Sequence, residues 1–289
     1  METMPVNSKH CLTIGLPKSG KTTYIAALWH VVDTKELDNS LQIESLPGDR
    51  TYLNEIRTKW LACENLDRTN IDAVNEISLQ VIDQVTSKEY QFHFPDLSGE
   101  MFELQFESRR LDNHYVDKLQ KTKGVLLFIN PDKLISPTLI NDTGQIDDAG
   151  EEQENVPSEN FWKPKEAPTQ VVLVDALQIL GMHISGEIKI SVIISAWDVI
   201  AGTPGDIAFS NKTPEEYIAA ELPLLHAFLN ANDEKFIFDY FGISAQGSEY
   251  GADNSKLQNY TVPSHRIKVQ HKRETSNDLS LPIKWLLND

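Results

Sequence analysis

Apolar and polar positions along the chain fall into blocks of two different periods. Cys11 to Ile14 is a short apolar run, and Thr23 to Val32 follows with Tyr24, Ile25, Ala27, Leu28, Trp29, Val31 and Val32, the density of a buried helix. Asp49 to Glu64 places Tyr52, Leu53, Ile56, Trp60 and Leu61 at helical spacing, which predicts an extra helix before the second strand. Ile77, Leu79 and Val81, and then Tyr90, Phe92 and Phe94, alternate with polar residues on either side of Thr86-Ser87-Lys88, as an antiparallel hairpin requires. Met101 to Lys121 reads as helical, and Val125-Leu126-Leu127-Phe128-Ile129 as a central parallel strand covered on both faces. A helix over Val171 to His183, a strand over Ile188 to Ile194 and a strand over Phe236 to Ile243 continue the alternation. Between the last two, Thr213-Pro214-Glu215-Glu216 combines an N-cap, proline at the first helical position and a capping-box glutamate, opening a helix expected to reach Asn230. Ser280 to Leu287 reads as a capped final helix. Such alternation predicts an α/β fold in three layers, with a mostly parallel central sheet, one antiparallel edge hairpin and helices on both faces.

The first strand and first helix flank Gly15-Leu16-Pro17-Lys18-Ser19-Gly20-Lys21-Thr22, which fits the phosphate-binding loop pattern G-x-x-x-x-G-K-[ST] without a mismatch. The chemistry explains the residue types. Glycines let the backbone wrap so that successive N–H groups, through Thr23, point at phosphate oxygens, and the following helix adds its positive end. Lys21 is expected to neutralise β/γ-phosphate charge, and the Thr22 hydroxyl to ligate Mg²⁺. The fold expected is therefore that of a P-loop nucleotide triphosphatase.

Charge narrows the range of partners. With 26 basic against 43 acidic residues, the net charge of −17 argues against broad attachment to nucleic acid or anionic lipid. No apolar run approaches the ~20 residues that span a bilayer, and Met1-Glu2-Thr3-Met4 lacks a basic-plus-apolar leader, so a soluble cytoplasmic protein is expected. Cys11 and Cys63 have no metal spacing and imply no disulfide framework. His93, between Phe92 and Phe94, reads as structural. All 289 residues are read as one domain with two insertions: an acidic, loose segment over 141–170, suited to solvent or to a basic partner, and a second over 248–279 before the final helix.

Three later segments narrow the chemistry. Asp96-Leu97-Ser98-Gly99-Glu100 follows an apolar strand; Asp96 is placed to hold Mg²⁺ through water, and the Gly99 N–H to meet a γ-phosphate. Ser195-Ala196-Trp197-Asp198 ends one strand, and Ser244-Ala245-Gln246-Gly247 follows another. In this order the motifs resemble those of the Ras-like, translation-factor-related P-loop GTPases. The resemblance implies that Asp198 accepts from the guanine N1–H and amine, that the Ala245 N–H faces O6, and that GTP and GDP are the nucleotides bound. Ser195-Ala196 replaces the usual Asn-Lys or Thr-Lys, leaving Trp197 to cover the base, and an ATP-specific protein is the rival reading. Glu100 stands where many relatives have a water-orienting glutamine; it would position or activate water, or leave hydrolysis slow. Thr69 is chosen as the switch threonine, with Thr51 and Thr58 as alternatives, and Arg68 as an in-cis arginine finger, with Arg109 and Arg110 as alternatives.

Gly15 to Leu28 (GLPKSGKTTYIAAL), the extra helix, the Asp96-Leu97-Ser98-Gly99-Glu100 variant and Pro282-Ile283-Lys284-Trp285-Leu286-Leu287 look like the bacterial double-GTPase families of conflict or anti-phage systems. That similarity implies a nucleotide-gated component beside other GTPase-like and effector subunits; the chain as a whole is read as a Mg-dependent GTPase acting as a nucleotide-dependent switch for protein partners, with a nucleotide-dependent dimer as one form. The alternative of a different class is a pseudo-GTPase serving as an interaction module.

Overall fold

The computed structural model describes residues 7–35, 41–45, 50–66, 75–137, 166–201, 212–251 and 255–288. In chain order its elements are β1 (Asn7–Ile14), α1 (Lys21–Thr34), β2 (Leu41–Ser45), α2 (Thr51–Leu61), β3 (Asn75–Asp83), β4 (Glu89–Asp96), α3 (Gly99–Ser108), α4 (Asn113–Lys121), β5 (Thr122–Ile129) and α5 (Thr169–His183). They continue with β6 (Ile188–Ser195), α6 (Asp198–Ala201), α7 (Pro214–Glu221), α8 (Pro223–Ala231), β7 (Phe236–Ser244), α9 (Ser255–Gln258), β8 (Lys268–His271), β9 (Glu274–Ser276) and α10 (Leu281–Leu287).

Among the described residues one sheet runs in the order β2-β3-β4-β1-β5-β6-β7-β8-β9. Its middle, from β4 to β7, is parallel. The β5 run that reads as wholly apolar is split by the pleat: Val125, Leu127 and Ile129 join the cluster under α4, α5, α7 and α8, whereas Leu126 and Phe128 join the cluster under α1, α2 and α10. A continuous apolar strand is what a sheet covered on both faces needs, and the three-layer expectation is met.

Both edges of the sheet are antiparallel. The expected hairpin β3–β4 is present, with Ile77 opposite Phe94 and Leu79 opposite Phe92, and β2 extends it outward. The other edge was not expected. Residues 248–279, read as an insertion, include α9, a 3₁₀ turn at Pro263–Arg266 and the strands β8 and β9, with β8 paired to β7. Two long helices also divide. Arg109, at φ 55°, ends α3, and Asp112 caps a separate α4 by accepting from the His114 N–H. Pro223 ends α7 at Leu222 and opens α8, because proline supplies no N–H for continuing the helical ladder. The capping box of Thr213 and Glu216 forms as expected.

The acidic stretch lies largely outside the described residues. Its last five, 166–170, are not loose: Ala167, Thr169 and Gln170 are buried at the start of α5, and Gln170 Oε1 accepts from the Leu224 N–H at 2.9 Å. The final helix packs against β5 and β6. Lys9 Nζ donates to the Leu287 carbonyl at 2.7 Å, Tyr24 Oη to that of Leu279 at 2.9 Å and Ser191 Oγ to that of Pro282 at 2.9 Å. Burial pushes the Tyr24 phenol and the Cys11 thiol above their ordinary ranges. His93 stacks on His10 across β1–β4, with ring centroids 4.7 Å apart. Among the described residues no helix is long and apolar enough to cross a membrane.

Candidate functional site

The carboxyl ends of the parallel strands all reach the same rim, where open α/β sheets place their ligands. There a cavity of 270 Å³ is walled by residues 17–23, by Gly99 and Glu100, by Ser195 and Ala196 after β6, and by Ala245 and Gln246 after β7. Trp60 of α2, Asn65 and Leu66 beyond it, and Tyr250 complete the lining.

The phosphate loop is built by close contacts. Lys18 and Gly20 both take positive φ, 61° and 88°, and a Cβ on Gly20 would stand 2.8 Å from Ser195 Cβ. Ser195 Oγ is 2.8 Å from the carbonyl of Ser19, to which it donates, and Asn130 Nδ2 donates to that of Lys18 at 2.9 Å. The loop is thus pinned from two neighbouring strands. Lys21 is buried, and its Nζ donates to the Gly15 carbonyl at 2.7 Å, the Leu16 carbonyl at 3.3 Å and Ser19 Oγ at 3.2 Å. A phosphate chain carries acceptors of the same kind. The Thr22 and Thr23 side chains border the same cavity from the first turn of α1.

Gly99 lies directly on this loop. A Cβ there would overlap the Pro17 nitrogen and the Leu16 carbonyl carbon, so only glycine permits the approach. Ser98 caps α3, and its Oγ donates to the carboxylate of Glu100 in a short hydrogen bond, which fixes Glu100 at the cavity wall. Asp96 ends β4 one turn upstream, with its backbone paired to Asn75.

Two expectations at the base end need correction or extension. Trp197 does not cover the cavity: it is 1 % exposed in the core, stacked edge-on against Tyr217, with Nε1 donating to Gln270 Oε1 at 2.7 Å. Ala196, at φ 48°, turns the chain inward, and Gly242 leaves the space, since a Cβ there would lie 2.6 Å from Trp197 Cγ. The tryptophan therefore anchors β8 to the core. Asp198 opens α6 and is not among the residues that wall the cavity; its Oδ1 is buried with no hydrogen-bond partner among the described residues. Ser244 accepts from the Gly247 N–H at 3.2 Å and shapes the loop that presents Ala245.

Thr69 and Arg68 lie outside the described residues. Their alternatives are elsewhere: Thr51 and Thr58 sit on α2, where the Thr58 hydroxyl donates to the Asn54 carbonyl, and Arg109 packs over Phe106 and pairs with Asp175. Arg110 is exposed beyond α3. Sequence reasoning missed Arg266, which is 2 % exposed and stacks on the Trp60 ring at 3.9 Å. A polar segment such as 248–279 gives no periodic signal that its Arg266 will be buried. Burial raises the Tyr250 phenol above its ordinary range despite the nearby Arg266 charge, which acts to lower it.

A strand-loop-helix phosphate cradle, with Gly99 against it and a base-end loop after β7, defines a P-loop protein of the GTPase class. The family model of Double-GTPase 1 matches residues 12–286, and the chain belongs to that family of GTP-binding P-loop proteins. Among solved structures it is similar to a bacterial selenocysteine-specific elongation factor, EF-Sec, at 12 % identity and a TM-score of 0.37, over 84 % of this chain and 27 % of that one. The chain thus spans less than a third of that protein's length. No curated protein matches it.

Proposed function

We propose that the chain binds Mg·GTP in this cavity, hydrolyses it to GDP and phosphate, and reports the nucleotide state to protein partners. The observation that carries the proposal is the contact of Gly99 with the phosphate loop, because a γ-phosphate entering between them has to change the start of α3. Lys21 would exchange its loop carbonyls for β/γ-phosphate oxygens, the loop N–H groups would hold the α- and β-phosphates, and the Gly99 N–H would meet the γ-phosphate. Thr22 and Asp96, with the sequence-assigned Thr69, fit the small oxygen donor set that Mg²⁺ takes beside phosphates. When bound, that ion supplies charge neutralisation at the β/γ bridge. Asp198, with its unpartnered Oδ1, and the Ala245 N–H would read guanine.

Glu100 would position the attacking water, with Arg68 as the charge-stabilising group. The bond from Ser98 to its carboxylate favours a second reading of slow turnover, in which the protein holds nucleotide for a partner. We place the protein in the cytoplasm as one P-loop domain of a bacterial defence system, with the acidic segment 141–165 meeting a basic partner and dimerisation across the nucleotide face. Calorimetry with Mg²⁺ and either GTP or ATP, followed by phosphate release, tests the reading. GTP is expected to bind more tightly, and Asp198→Asn to shift preference toward xanthine nucleotides; tighter ATP binding by the wild type would overturn it.

A further inference from the structure

The part of the cavity wall that includes Trp60 and Tyr250 is held by a buried cation. Arg266, from the 3₁₀ turn before β8, donates through Nη2 to the Trp60 carbonyl and through Nη1 to Cys63 Sγ at 2.9 Å, while its Cζ lies 3.9 Å over the Trp60 ring. Among the described residues it has no carboxylate partner, and its Nε is buried without an acceptor. A guanidinium held this way is a poor choice for stability alone, because its desolvation goes uncompensated by an opposite charge. What it holds points to another use. Trp60 Nε1 donates to the Ala245 carbonyl at 3.0 Å, and so fixes the backbone beside the N–H that the guanine-nucleotide reading assigns to the base. Tyr250 borders the same space, with its hydroxyl 3.4 Å from the Trp60 carbonyl and 3.5 Å from Arg266 Nη2. Gly247 admits the approach: it takes φ 92°, and a Cβ there would lie 3.0 Å from Arg266 Cβ.

We infer that Arg266 and Trp60 are positioning residues for base recognition, orienting the Ala245 loop, and that the Tyr250 ring flanks the purine in place of the lysine that Ala196 replaces. This rests on the guanine-nucleotide reading above. It gives the segment 248–279 a role in choosing the nucleotide, through residues 250 and 266. A side chain that only supports the fold would weaken all nucleotides alike, whereas a misplaced Ala245 loop penalises guanine selectively.

The test is calorimetry with Mg²⁺ on the full chain, comparing GTP, ATP and tripolyphosphate. Trp60→Phe keeps an aromatic ring but loses the N–H, and Arg266→Met keeps length but loses the charge. Each is expected to lower the GTP-over-ATP affinity ratio about fivefold or more, the worth of one hydrogen bond. Tyr250→Ala, at a partly exposed position where folding is least at risk, is expected to weaken both purine nucleotides about tenfold relative to tripolyphosphate, the scale of one lost stacking contact. An unchanged GTP/ATP ratio in the first two variants, or equal weakening of tripolyphosphate in the third, overturns the inference; should the first two not fold, the third decides it. Failure of the wild type to bind either triphosphate is a different result, and it removes the functional reading itself.

Discussion

Lys21 and Gly99 make opposite demands on the same loop. The lysine brings a charge that loop carbonyls hold in place, and triphosphate oxygens offer stronger, charge-assisted acceptors. Lys21→Ala is expected to lower GTP affinity about a hundredfold, the upper end for losing a hydrogen bond to a charged group, as read by titration calorimetry. Gly99 brings the absence of a side chain. Gly99→Ala must push the start of α3 off Leu16 and Pro17, and with it the Glu100 carboxylate that Ser98 holds. Single-turnover phosphate release is expected to fall roughly a hundredfold, the usual consequence of an ångström's misplacement, while GDP affinity stays within about threefold. A variant that released phosphate at the wild-type rate would remove Gly99 and Glu100 from the mechanism.

Elements differ in what holds them. Asp239 on β7 meets His271 on β8, with Oδ2 and Nε2 2.8 Å apart, across the edge formed by residues 268–276. Burial acts to raise the Asp239 pKa, but the hydrogen bonds from His271 and the Tyr240 N–H, with the charges of His271 and Lys272, outweigh it and leave the group below its ordinary 3.8. A lowered carboxylate stabilises the fold fully above its unfolded value, and that contribution is lost as pH falls through the folded one. The carboxylate's contribution is therefore expected to be fully present above about pH 4, the range of an unfolded carboxylate, and to be lost as pH falls below it. Asp239→Asn should flatten the acid limb of an unfolding-versus-pH curve, and an unchanged limb would deny the pair that role.

The final helix, with the Leu279 that precedes it, is held by burial as well as by the bonds of Lys9 and Ser191 to its carbonyls. Leu279, Ile283, Leu286 and Leu287 are all buried. At roughly 1.5–3 kcal/mol for each such side chain, their loss approaches the ~5–15 kcal/mol that separates most folded domains from the unfolded chain. Truncation after Asp278 is expected to abolish cooperative unfolding in denaturant titrations followed by circular dichroism.

These elements were unequally legible. The phosphate loop, the β3–β4 hairpin, the β5 run and the Thr213–Glu216 capping box carry strong local signals, and each formed where expected. The sequences of β8 and β9, Lys-Val-Gln-His and Glu-Thr-Ser, are too short and polar to alternate visibly; pairing to β7 makes them strands. Trp197 is expected over the base because Ala196 leaves out the usual lysine, but the left-handed turn at Ala196 decides its direction, and no periodicity predicts that turn. Arg266 meets Trp60 across 206 positions of chain, a contact set by topology alone.

At the scale of the molecule, the excess of acidic groups is a general term. A net charge of −17 repels itself in the compact state, so raising ionic strength from about 0.01 M to 0.15 M, which shortens the Debye length from about 30 Å to about 8 Å, is expected to raise the melting temperature. Differential scanning calorimetry checks this, and a fall in its place would mean that attractive pairs dominate. Ligand linkage should add to it. GTP at a hundred times its dissociation constant contributes about 2.7 kcal/mol, which for a protein of this size corresponds to roughly 5–10 °C.

The bond from Lys9 to the carbonyl of Leu287 joins the start of the first strand to the end of the last helix. During synthesis, β1 must wait for 278 further residues to leave the ribosome before that neighbour arrives. Until then the loop that β1 leads into is made without one of the contacts that close the finished fold.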